Sequence, residues 1–111
     1  MSTTDKGREA EALIADELKM QGHTIKSMNW RTRWCEIDIV SIRKKCVFFT
    51  EVKLRTTQSW GSGFDYIGAK KLQQMAFAAE FWISENNWRH STQLLAAEVD
   101  GSGNFRIVEI S

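Results

Sequence analysis

The stretch EIDIVSIRKKCVFFTEVK, residues 36 to 53, contains two apolar runs on either side of the basic tip Arg43-Lys44-Lys45. Both runs are rich in β-branched and aromatic residues, so both read as strands. Side chains alternate across a strand, yet apolar residues occupy both alternating sets here: Ile37, Ile39, Phe48 and Val52 in one, Val40, Ile42, Val47 and Phe49 in the other. Strands of this kind are covered on both faces. The chain must therefore place packing elements on each side of a sheet. Against that pattern, Glu36, Asp38, Glu51 and Lys53 put charges where apolar side chains are expected.

The flanking segments supply the cover. TTDKGREAEALIADELKMQG reads as a helix that Thr4 or Asp5 can cap, with Ala12, Leu13, Ala15 and Leu18 apolar and Gly22 as its stop. HTIKSMNW alternates as a first strand, and RTTQSWGSGFDY has the glycine and serine content of a loop. In IGAKKLQQMAFAAEFWISEN, Leu72, Met75, Ala76, Ala79 and Ile83 follow helical spacing, and Trp82 belongs to the core. QLLAAEVD and NFRIVEI flank Gly-Ser-Gly as a final hairpin. The order is α-β-β-β-α-β-β, an α/β chain (α+β by strand mixing) with a central mixed sheet flanked by helices. Its 111 residues make one domain, 1–111.

No apolar run is long enough for a membrane span, and the N-terminus lacks a signal peptide's apolar core, so a cytoplasmic protein without membrane contact is expected. Cys35 and Cys46 have neither zinc spacing nor a disulfide framework around them. His23 and His90 read as surface or turn residues. From Lys26 to Lys71 ten basic residues stand against four acidic ones, an asymmetry that suits phosphate contacts or a solvated surface.

The placement of the hairpin charges depends on register. If Ile42 lies opposite Val47, Asp38 falls opposite Glu51 and Glu36 opposite Lys53; a one-residue shift sends the pairs to opposite faces. In the first register two carboxylates meet at sheet spacing, which is destabilising unless a cation sits between them. With Glu36, three carboxylates face one lysine, a deficit that a hard divalent ion fills: Mg²⁺, then Mn²⁺, not zinc. The competing reading is a salt-bridged polar patch, with Glu51 paired to Arg33 or Lys53.

A lone acid on one strand followed by Glu-x-Lys on the next resembles the PD-(D/E)XK nuclease superfamily. A larger pattern resembles the YraN-like family of small bacterial proteins within it. The residues are Gly7 to Glu11, NWR at Asn29 to Arg31, EIDIV at Glu36 to Val40, FFTEVKLR, Lys70 and Lys71, and AAEFW at Ala78 to Trp82. Two positions depart from the pattern: Ala10 and Cys35 stand where the family has glycine, and Cys35 adds a side chain where glycine leaves room for a close approach. The resemblance implies a restriction-endonuclease-like core and metal-dependent phosphodiester hydrolysis.

In that scheme the catalytic residues are Asp38, Glu51, Lys53 and Glu11. Metal ligands would be Asp38, Glu51 and the Val52 carbonyl, with Glu11 and Glu36 as further acids. Glu36 has a competing role in pairing with Arg31 or Arg33. Mg²⁺ or Mn²⁺ is the implied cofactor. Arg31, Arg55, Lys70, Lys71 and Trp60 are the candidate nucleic-acid contacts, with Gln73 a weaker one. DNA is favoured as partner, including branched forms, and a homodimer is needed to cut two strands symmetrically. The alternatives are a non-catalytic nucleic-acid-binding module with a nuclease-like fold, or a protein-interaction domain.

Overall fold

In the computed structural model, which describes residues 3–55 and 67–110, helix α1 spans Thr3–Met20. Ala10, Ile14, Ala15 and Leu18 recur at helical spacing and form its buried face. Gly22 ends it. At φ +95° this glycine adopts the left-handed turn, its amide bonds the Lys19 carbonyl, and the next amide, of His23, bonds the Leu18 carbonyl at 2.9 Å. The chain then drops onto the sheet. His23 lies in the turn as expected, but the turn presses it inward until 6% of it is exposed. Its Nδ1 is 2.9 Å from Ser41 Oγ and its ring centroid 4.5 Å from that of Phe48.

Strands β1 (Thr24–Arg31), β2 (Glu36–Arg43) and β3 (Cys46–Leu54) follow, then α2 (Ala69–Glu85), β4 (Ser91–Val99) and β5 (Phe105–Glu109). The sheet order is β1-β2-β3-β4-β5. All pairings are antiparallel except β3–β4, which is parallel and joined by the crossover that contains α2. The expected order and the mixed sheet are both present. Trp60 lies outside the described residues.

Ile37 apart, the two apolar sets of β2 and β3 go to opposite helices. Ile39 and Phe48 join Ile14, Leu18, Leu95 and Ala97 beneath α1. Val40, Val47 and Phe49 join Met75, Ala78, Ala79 and Trp82 beneath α2. Each Val, Leu, Ile, Phe or Met side chain buried in this way contributes roughly 1.5–3 kcal/mol. Trp82 meets Phe49 edge-on at 5.5 Å between centroids, so its place in the core is as expected. On α2 it is Ala78 that turns inward, while Ala76 is exposed. No helix among the described residues is long and apolar enough to cross a membrane.

Candidate active site

The β2–β3 ladder runs from Arg43↔Cys46 to Ile39↔Thr50, with Ile42 opposite Val47. That is the register placing Asp38 across from Glu51, one step beyond the last pair. There the two strands part. Ile37 and Ile39, two residues apart, would ordinarily share a face. Instead Ile39 packs under α1 and Ile37 under α2. The backbone of β2 therefore turns over at Asp38. Its neighbour β1 turns with it: Met28↔Ile39 and Trp30↔Ile37 remain in register, and Asn29 between them takes φ +53°. Asparagine tolerates that conformation better than most residues, which accounts for its place in the NWR segment.

At this turnover point the Asp38 side chain bridges the split, its Oδ2 accepting the Val52 amide at 2.8 Å. Val52, whose carbonyl is the expected metal ligand, contributes its N–H to the acid. Burial and then the Glu51 carboxylate push the Asp38 carboxyl up to about 7; the Val52 amide works against them, and Glu11 and Glu36 add smaller upward pushes. Four carboxylates from α1, β2 and β3 therefore act on one corner of the molecule. Glu11 reaches it from α1, where it is half-buried.

The cations are distributed unevenly. Lys71 Nζ is 2.8 Å from Glu51 Oε1, across the gap between α2 and β3. Glu51 was expected to pair, if at all, with Arg33 or Lys53; helix α2 supplies the partner instead. Arg31 Nη2 lies 3.2 Å from Glu36 Oε2, the structural pairing foreseen for Glu36, with both side chains largely exposed. Lys53 is exposed and makes no ion pair among the described residues. Arg55 turns to Glu98, which it grips through Nε and Nη2 at 3.0 Å each.

Glu98 escapes sequence reasoning. It is fully buried in β4, with Arg106 of β5 a second cation at 3.5 Å. An acid inside the apolar run LLAAEV, facing Arg106 across the final hairpin, is the one signal that points to it. Arg55, which approaches from just past the end of β3, has no such sequence cue.

Beside Glu51 and Glu36 opens a cavity of ≈ 500 Å³, walled by Lys70, Lys71, Gln73 and Gln74 of α2 and by Trp34 and Cys35 of the β1–β2 turn. The expected phosphate-contacting lysines thus border the same corner as the acids. Cys35, where the family pattern has glycine, is part of the wall and donates its amide to Thr32 Oγ1.

The donor set suits one kind of ion. Among the described residues no three His, Cys, Asp or Glu side chains form a ready cage. Asp38 and Glu51 supply oxygen only. Mg²⁺ characteristically binds through one or two carboxylates while keeping several waters, whereas zinc sites are built mainly on Cys and His, which this pair of acids does not supply. The residues fit a largely hydrated hard cation.

Comparison with known proteins agrees with the pattern read from the sequence. The family model of the uncharacterised protein family UPF0102, the family of the YraN-like proteins, matches residues 10–110. A UPF0102 protein of Pseudomonas aeruginosa (strain LESB58) is 36% identical over 84 residues, 76% of this chain and 67% of that protein. One from Arthrobacter sp. (strain FB24) is 33% identical over 104 residues, covering 91% of this chain and 88% of the relative. One from Ectopseudomonas mendocina (strain ymp) is 29% identical over 108 residues, 96% and 91% of the two chains.

Proposed function

The chain belongs to the uncharacterised protein family UPF0102, and we propose that it is a divalent-metal-dependent nuclease of the PD-(D/E)XK superfamily, hydrolysing phosphodiester bonds in nucleic acid, DNA foremost. One observation carries this reading: Asp38, at the point where β2 leaves β3, lies one register step past the last strand pair and across from Glu51. Lys53 follows Glu51 by two residues, on the same strand face.

In this scheme Asp38 and Glu51 hold Mg²⁺ or Mn²⁺, with Glu11 and Glu36 as outlying acids. When bound, the ion polarises the scissile phosphate and lowers the pKa of a coordinated water. The chain's own residues do the rest. The Val52 amide fixes the orientation of Asp38. Lys53, free of ion pairs among the described residues, is available to stabilise charge growing on the phosphoryl oxygens. Lys71 balances Glu51 until a cation takes over that role, and with Lys70 it lines the approach for a phosphodiester. Cutting two strands symmetrically takes two copies of the chain.

A second reading has its own support. Asp38 has a hydrogen-bond partner in the Val52 amide and Glu51 an ion-pair partner in Lys71, contacts that equally suit a nucleic-acid-binding module that does not cut. Two measurements separate the readings. Calorimetric titration with Mn²⁺ should show saturable binding that Asp38→Ala removes. Labelled single-stranded, duplex, flap and four-way-junction substrates, incubated with Mn²⁺, should be cut by wild type and not by Lys53→Ala. Equal background cleavage by both proteins would leave binding alone.

A further inference from the structure

Trp34 is 65% exposed and Phe77 53% exposed, and both line the ≈ 500 Å³ cavity that Lys70, Lys71 and Glu51 also border. Neither ring is loose. The turn that carries Trp34 is tied by Thr32, whose Oγ1 accepts the amides of Trp34 and Cys35 at 3.1 Å each while its own amide bonds the Cys35 carbonyl at 2.8 Å. Behind the two rings stands Phe81, 5.8 Å from Trp34 and 6.3 Å from Phe77 between centroids. The result is a row of π-faces on a rigid support. Arg33, itself exposed, lies over the Trp34 ring at 5.3 Å and adds a cation on the Trp34 side.

Exposed aromatic rings supported from behind and bordered by cations match a ligand with both a flat π-face and a negative charge. A nucleotide has both. The base of a paired nucleotide is already stacked on its neighbours, so only an unpaired one can offer its face to a side chain. The cavity opens on Glu51, so a base seated on these rings brings its phosphodiester to the lysines next to the acids.

We propose that this cavity is a subsite for an unpaired nucleotide of a DNA strand, its base against Trp34 and Phe77 and its phosphate at Lys70 and Lys71. Resting on the reading of the neighbouring acids as a nuclease centre, it assigns the substrate: strands with unpaired residues at the scissile position, ahead of continuous duplex.

The test is fluorescence anisotropy in EDTA, where no metal-dependent cleavage occurs, with end-labelled oligo-dT, oligo-U and a blunt duplex of equal length. Wild type should bind oligo-dT more tightly than duplex. Trp34→Leu and Phe77→Leu should each weaken oligo-dT binding by about 5- to 100-fold and leave duplex binding unchanged, whereas Trp34→Tyr should retain it. Urea unfolding of each variant checks that the fold is kept. Equal or tighter duplex binding, no binding of oligo-dT, unchanged affinity in both leucine variants, or a tenfold preference for oligo-U would overturn the assignment. So would a dimer that dissociates in the leucine variants while oligo-dT binding persists, which would make the patch a self-association surface. Cleavage of the same oligonucleotides in Mn²⁺ separates the two proposals. Aromatic-dependent binding without cleavage sinks the nuclease and leaves the subsite; cleavage indifferent to both rings does the reverse.

Discussion

Asp38 Oδ2 accepts the Val52 amide at 2.8 Å, so the side chain of β2 closes a strand pair that its backbone has abandoned. This contact holds a carboxyl in a buried corner among other acids, and its titration has a measurable consequence. Folded, Asp38 titrates at about 7; an ordinary aspartate titrates at 3.8. Between those values the native state binds more protons than the unfolded chain, so stability declines as pH rises. The contribution is complete below 3.8 and is lost as pH passes through about 7. Urea unfolding in EDTA should show wild type losing stability relative to Asp38→Asn between pH 5 and pH 8, by an amount on the order of 1–4 kcal/mol. Parallel curves for the two proteins would mean that Asp38 is ionised throughout.

The same proton should be visible in metal binding. A cation binds the ionised carboxylate, so at a pH below about 7 its arrival must expel the Asp38 proton. Mn²⁺ calorimetry in two buffers of different ionisation enthalpy should report release of roughly one proton per ion at pH 6 and close to none at pH 9. Asp38→Asn should abolish both the release and most of the binding. Binding without pH dependence would place the ion elsewhere.

Much of this arrangement was legible in the chain, and the gaps have physical causes. Strands apolar in both alternating sets demanded cover on two faces, and α1 and α2 supply it. Register was open because the β2–β3 turn hides its type. Lys44 and Lys45 take φ +50° and +62°, the positive values that a two-residue hairpin turn requires, without the asparagine and glycine that usually announce it. The Lys71–Glu51 pair joins elements whose relative placement is set by tertiary packing, as does Arg55–Glu98. Exposed aromatics were the hardest to see. Helical spacing marks Trp82 for the core, whereas Trp34 lies in the turn between β1 and β2, where no periodic pattern tells a buried ring from an exposed one.

Glu98 should be a purely structural acid. It is wholly buried and bonded by two guanidinium groups, so replacing it with alanine removes the anion that holds Arg55 and Arg106 together. Breaking a buried pair in this way costs about 3–5 kcal/mol. Glu98→Ala should lower the urea midpoint sharply, and Mn²⁺ affinity in the fraction that remains folded should be unchanged. A stable variant with lost metal binding would move Glu98 into the site.

His23 works in the opposite pH direction from Asp38. Burial, then the charge of Arg43, lowers its pKa from the ordinary 6.5. Stability from the neutral ring is therefore complete above 6.5 and is lost as pH falls through the lower folded value. Ser41→Ala, which strips the ring Nδ1 of its buried partner, should cost about 1–3 kcal/mol at pH 8. His23→Leu should lose less stability than wild type on acidification below pH 6.5. An identical acid limb in both proteins would show that the imidazole takes up its proton as readily in the fold as in the unfolded chain.

Lys71 has two partners to choose between, and its removal should separate them. It neutralises Glu51 at 2.8 Å, and a cation bound at Glu51 would compete with it directly. Both side chains are partly exposed, so the pair contributes no more than about 1 kcal/mol to the fold, and Lys71→Met should unfold at nearly the wild-type urea concentration. Without the ammonium, the acids repel one another more strongly and a divalent ion relieves more strain, so Mn²⁺ should bind several-fold more tightly. Nucleic acid should bind more weakly, because the displaced ammonium is no longer there to meet a phosphate. The salt dependence should also become shallower, by about one unit in the slope of log affinity against log salt. Opposite shifts in the two affinities from one substitution are hard to obtain from a surface lysine remote from the acids. Weaker binding of both Mn²⁺ and nucleic acid would instead mean that Lys71 serves to position Glu51 and never leaves it.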